Sequence, residues 1–120
     1  MQATQLESEL PSFHGSEMFF RHSLNRSVIW TEGVQFLAEN AGAYWLLDEI
    51  AIANSHVLKV QAEEFQVWTL TLETIGGAIL ACGDGNGNTV YTVSIPWTDF
   101  PLSSIALYFE NNVICLPSER

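Results

Sequence analysis

The apolar spacing of this chain changes character at Phe65, and that change constrains the architecture more than any other feature. Before it, apolar residues recur at helical intervals; after it, they alternate as strands do. In "WTEGVQFLAEN", Thr31 is an N-cap, and Val34, Leu37, Ala38 and Ala41 make one stripe while Glu32, Gln35 and Glu39 face away. "NAG" at 40–42 stops that helix, with Gly42 in the left-handed conformation. "AGAYWLLDEIAIANSH", residues 41–56, carries the next helix. "TQLE" at 4–7 fits a capping box, with Thr4 as N-cap and Glu7 reaching back, opening a short first helix that stops near Pro11. "MFFRHSL" reads as a strand-like segment of poor alternation.

Beyond Phe65, "FQVWTLTLE" and "AILACG" flank "TIGGA", where Gly76 and Gly77 suit a tight hairpin. "TVYTVSIPW" follows the turn "GDGNGN". "SIALYFEN" and "VICLPSE" meet at "NN", which tolerates positive φ. Helices first and neighbouring strands after predict an α+β fold: an antiparallel sheet of about four to six strands with two or three helices on one face. A chain of 120 residues suits a single domain spanning 1–120.

Charge excludes several function classes. Four Lys and Arg stand against 14 Asp and Glu, a formal net charge of -10. Such a surface repels the phosphate backbone of nucleic acids and anionic membranes alike. Its expected partners are proteins, a second copy included. The first residues show no basic region followed by an apolar run, so no signal peptide is expected, and no window reaches the length of a membrane span. Cys82 and Cys115, each inside a strand-like run, are expected to be reduced thiols in a cytoplasmic protein.

On a helical wheel of residues 43–56, Ala43, Leu46, Leu47 and Ile50 form the core face. Trp45 and Ile52 make an apolar ridge on roughly the opposite side, flanked by Asp48 and Glu49. The two carboxylates point about 100° apart and cannot share one substrate atom. Three coverings are open for the ridge: another part of this chain such as the first helix, a subunit or partner, or the wall of a ligand pocket. Trp45, Ile52 and Glu49 are therefore the interface candidates.

Other stretches carry less chemistry. "DGNGNT" begins as an EF-hand loop does, but Thr89 stands where Gly is needed and Ile95 where Glu is needed, so a hairpin turn on "NG" is the better reading. "RHSLNR" gathers Arg21, His22 and Arg26; an anion pocket is one reading, pairing with nearby carboxylates the plainer one. His14, His22 and His56 lack zinc spacing, so no metal is expected. In "WTDFPLSSI", Asp99 is placed to cap its own turn, and Ser103 and Ser104 lack the glycines of a nucleophile elbow. No phosphate-cradling loop or cysteine nucleophile motif occurs, and no cofactor is implied.

"FHGSE", "AYWLLDEIA", "EFQVWTL", "DGNGN", "TDFPL" and "LPSE", in this order, resemble a family of small proteins of unknown function, mainly cyanobacterial, over nearly the whole chain from about residue 6. Gly15-Ser16-Glu17 departs conservatively from that family's Gly-Thr-Glu. The resemblance implies a bacterial, cytosolic setting and brings no activity, cofactor or catalytic residue.

Two functions from different classes follow. The leading expectation is a non-enzymatic interaction or regulatory module that self-associates as a homodimer. The alternative is a small-ligand-binding protein or enzyme with a pocket between helices and sheet, where Tyr44, Asp48, Arg21, His22 and Asp99 would have to converge.

Overall fold

The computed structural model describes residues 1–120. The order of elements is α1 (Ala3–Glu9), a 3-10 turn (Leu10–Ser12), β1 (Phe19–Arg21), β2 (Ile29–Thr31), α2 (Glu32–Ala41), α3 (Tyr44–His56) and α4 (Leu58–Gln61). Then come β3 (Phe65–Leu72), β4 (Ala78–Gly83), β5 (Thr89–Ile95), β6 (Ser104–Glu110), β7 (Val113–Cys115) and a closing 3-10 turn, Pro117–Glu119. The fold is α+β. No helix is long and apolar enough to cross a membrane.

The sheet corrects the expectation in two ways. It has seven strands rather than four to six, in the order β1-β2-β7-β6-β3-β4-β5, and it is mixed rather than antiparallel. The exception is β2, which runs parallel to β7 with Ile29 opposite Val113. The helices number four, since α4 adds one turn after α3.

Strand alternation sets the inner face. Gln66, Trp68 and Leu70 of β3 point inward with Ala78, Leu80 and Cys82 of β4, Leu107 and Phe109 of β6, and Ile114 of β7. Val34, Leu37, Ala38 and Ala41 of α2, and Ala43, Leu46, Leu47 and Ile50 of α3, close the same core, as their spacing predicts. Burying each large side chain there stabilises the fold by roughly 1.5–3 kcal/mol.

The helix ends follow local chemistry with one exception. Thr31 caps α2 by accepting from Val34 N, and Gly42 ends it at φ +62°. Thr4 does not cap α1: the helix starts at Ala3, after an extended Gln2 whose side chain makes no capping bond. Burial of Leu6 and Leu10 positions that short helix, against which a hydroxyl cap of about 1 kcal/mol is a minor influence. Asn111 and Asn112, at φ +55° and +65°, make the two-residue turn between β6 and β7.

Candidate functional site

Two carboxylates adjacent on α3 go to different places. Asp48 accepts a 2.8 Å hydrogen bond from His22 Nε2. The His22 ring is only 3 % exposed, and its Nδ1 accepts from Leu24 N at 3.2 Å and Asn25 N at 3.0 Å. Both ring nitrogens are therefore engaged, and the imidazole has no free lone pair with which to act as a base. Asn25 ties the same loop to α3 through Ala51 O at 3.0 Å and Ser55 Oγ at 2.8 Å. The His22–Asp48 pair thus fastens the β1–β2 loop to the helix.

Glu49, one residue on, lines a groove of about 370 Å³ with Trp45, Val93, Ile95, Trp97 and Asp99. Trp45 is half-buried at the margin of the core, and of the coverings left open for it, the neighbours that line its groove come from another part of this chain, β5 and the segment after it, rather than from the first helix. Trp97 is 69 % exposed. Ile52, 48 % exposed, lies on the same helical stripe at i+7 from Trp45. The three interface candidates therefore share one side of α3, and two of them line this groove.

The five polar candidates do not share a cleft. Tyr44 is exposed, its hydroxyl meeting Gln35 Nε2 at 2.7 Å. Gln35, expected to face away, is half-buried, because its Oε1 accepts the Trp30 indole N–H at 2.7 Å. Arg21 donates to Arg26 O at 2.8 Å, and neither arginine reaches a carboxylate, contrary to the pairing expected of them. The carboxylate-paired cation is instead Arg120, 3.5 Å from Glu110 and stacked 4.2 Å from the centroid of the Phe65 ring. Asp99 is exposed on the groove, and the turn it was expected to cap is closed by Thr98 Oγ1 accepting from Phe100 N. Asp84 closes the β4–β5 turn, accepting from Asn86 N, Asn88 N and Asn88 Nδ2; these bonds, that of the Asn88 side chain foremost, hold its carboxyl below the usual range.

A second concavity, of about 480 Å³, opens where α3, α4 and the ends of β3 and β6 meet. Asn25, Asn54, Glu63, Glu64, Gln66 and Glu110 are among its lining residues. Gln66 at its floor is 1 % exposed and saturated with hydrogen bonds to Asn54, Trp68, Val60 and Glu63. None of these residues is a candidate from the sequence. The available signal was Gln66 itself, an amide on the apolar phase of "FQVWTL".

Both cysteines are free; Cys82 points into the core, and Cys115, on β7 with β3 and β6 lying between the two, pairs on the outer face with Tyr108. Burial, reinforced by Glu63, pushes the Cys82 thiol up to about 12. The folded state thus keeps a proton that the unfolded chain releases near pH 9, so stability falls with rising pH from about 9 towards 12. Urea unfolding between pH 8.5 and 10.5 should show Cys82→Ala with the shallower decline, by up to about 1.4 kcal/mol per pH unit. Equal slopes would mean that the thiol ionises as freely inside the fold as outside it.

No curated protein and no solved structure matches this chain. A family model does, over residues 4–120, which include both concavities, the His22–Asp48 fastening and the Gln66 hub. The chain belongs to the family of unknown function DUF6876.

Proposed function

We propose that this protein is a small, non-enzymatic interaction or regulatory module of the cytoplasm that associates with itself. The groove of Trp45 and Trp97 at the end of β5 carries this reading, because tryptophan is the residue most enriched where binding energy concentrates. Charge supports it. Residues 74–98, from which one wall of the groove comes, hold a single charged side chain, Asp84, in a chain of net charge -10. Two copies repel each other through most of their surface, and this stretch is where they can meet at least electrostatic cost.

Native mass spectrometry of the wild type and Trp45→Glu tests the reading. The wild type is expected at twice 13.4 kDa, and Trp45→Glu at 13.4 kDa with its helicity unchanged. Loss of a central tryptophan contact weakens association by about 30-fold or more. A wild type that stays monomeric at all concentrations would sink the proposal.

The 480 Å³ concavity favours a second reading, a small-ligand-binding protein or enzyme with its site between helices and sheet. Its amides and carboxylates suit a polar or cationic ligand better than an anion.

A further inference from the structure

We propose that β5 of one molecule pairs edge to edge, antiparallel, with β5 of a second copy, joining two seven-stranded sheets across a twofold axis. This rests on the self-association proposed above and specifies its mode. The first observation is the free edge. β5 hydrogen-bonds to β4 alone, and no side chain or backbone group elsewhere bonds its outer side. Alternate N–H and C=O groups along seven residues therefore face outward without a protein partner.

The second observation is that the strand's own sequence lacks the usual protections, although α4 packs beside it with Lys59 5.7 Å from the centroid of the Tyr91 ring. Edge strands are commonly blunted by shortness, charge or proline. The opposite edge, β1, follows that rule with three residues and Arg21. "TVYTVSI" has no charge and no proline, is rich in β-branched residues, and keeps regular register with β4 from Tyr91 to Ile95, beyond the irregularity at Cys82/Gly83.

The third observation names the occupant. An acidic partner is repelled by most of this molecule, and a second copy is itself acidic. The nearly uncharged stretch 74–98 lets two such molecules approach, and an antiparallel β5 pair presents the same stretch from both sides, as a twofold interface requires. A strand pair alone is small beside the roughly 1,200 Å² buried by specific interfaces. Trp97 and Ile75, 69 % and 90 % exposed at the same end of the sheet, supply apolar surface next to it.

The test combines Thr92→Lys with Ser94→Lys, both exposed positions of β5, and reads mass by sedimentation and amide exchange by mass spectrometry. The expected result is a wild-type dimer whose Tyr91–Ile95 amides exchange at least tenfold more slowly at high than at low protein concentration. The double variant should be a monomer with an unchanged circular-dichroism spectrum. A wild-type dimer with no concentration-dependent protection in β5, or a double variant that remains dimeric, overturns the β5 mode and leaves self-association standing. A wild-type monomer overturns both. The exchange measurement uses the wild type alone, so a variant that fails to fold does not remove the test.

Discussion

Replacing Gln66 by leucine lowers the unfolding free energy by about 3 kcal/mol, as read from urea titration. Gln66 Oε1 accepts from Trp68 Nε1 at 2.8 Å and Asn54 Nδ2 at 3.1 Å. Its Nε2 donates to Asn54 Oδ1 and Val60 O, both at 2.8 Å, and to Glu63 O at 3.2 Å. One amide thus satisfies the indole of a core tryptophan, a side chain of α3 and two carbonyls in and after α4. Leucine has similar volume and gains transfer energy, but it leaves the buried Trp68 N–H and Asn54 Oδ1 without protein partners, while the Val60 carbonyl keeps its bond from Glu63 N. Each such group costs about 1–3 kcal/mol, more than the apolar gain offsets. Gln66→Glu should cost at least as much at neutral pH, because a carboxylate would then face the two carbonyls. A loss below about 1 kcal/mol for Gln66→Leu would show that the amide does not hold the α3–α4 corner to the sheet.

Removing the Glu119 side chain is the second large effect: Glu119→Ala should cost about 2 kcal/mol in the same titration. The first N–H groups of α2 have no partners within the helix, and three separate segments satisfy them. Ser16 Oγ accepts from Glu32 N at 3.0 Å, Glu119 Oε2 from Gly33 N at 3.2 Å, and Thr31 Oγ1 from Val34 N at 3.3 Å. Glu119 Oε1 also accepts from the Thr31 hydroxyl at 2.5 Å and from Leu116 N at 3.0 Å. A carboxylate at a helix N-terminus gains from the dipole as well as from these bonds. Glu119→Gln should lose about half as much, since it keeps one acceptor and loses the charge. Gly33 allows the approach: a Cβ there would lie 2.7 Å from Glu119 Oε1 and from Leu116 Cδ1. Equal stability of wild type and Glu119→Ala would mean that water serves these N–H groups as well as the carboxylate does.

This capping cluster also gives two of the family-like motifs a physical role. Ser16 of "FHGSE" and Glu119 of "LPSE" lie more than a hundred residues apart, and both act on the start of α2. A threonine in place of Ser16 would keep the hydroxyl that accepts from Glu32 N.

What could be read in advance divides by the range of the forces involved. Thr31, Gly42 and the Asn111-Asn112 turn depend on neighbours within four residues, and each acts as its spacing implies. The inward face of α3 is equally local, as periodicity requires. The β2–β7 pairing was illegible because a three-residue strand has no measurable alternation and its partner is over eighty residues away. Arg21 and Arg26 misled for the same reason: their carboxylate partners would have had to come from elsewhere in the fold, and none comes within reach. In the site, the divergence of Asp48 and Glu49 followed from helix geometry. That His22 would receive Asp48, and that β5 would wall the groove beside Trp45, depended on tertiary packing.

The most direct measurement is native mass spectrometry of untagged protein taken gently from its own host. The expected spectrum is a dimer at twice 13.4 kDa with no added mass, dissociating on Trp45→Glu. A monomer carrying a reproducible small adduct would contradict the account, and would move the function from the Trp45–Trp97 groove to the amide-lined concavity above Gln66.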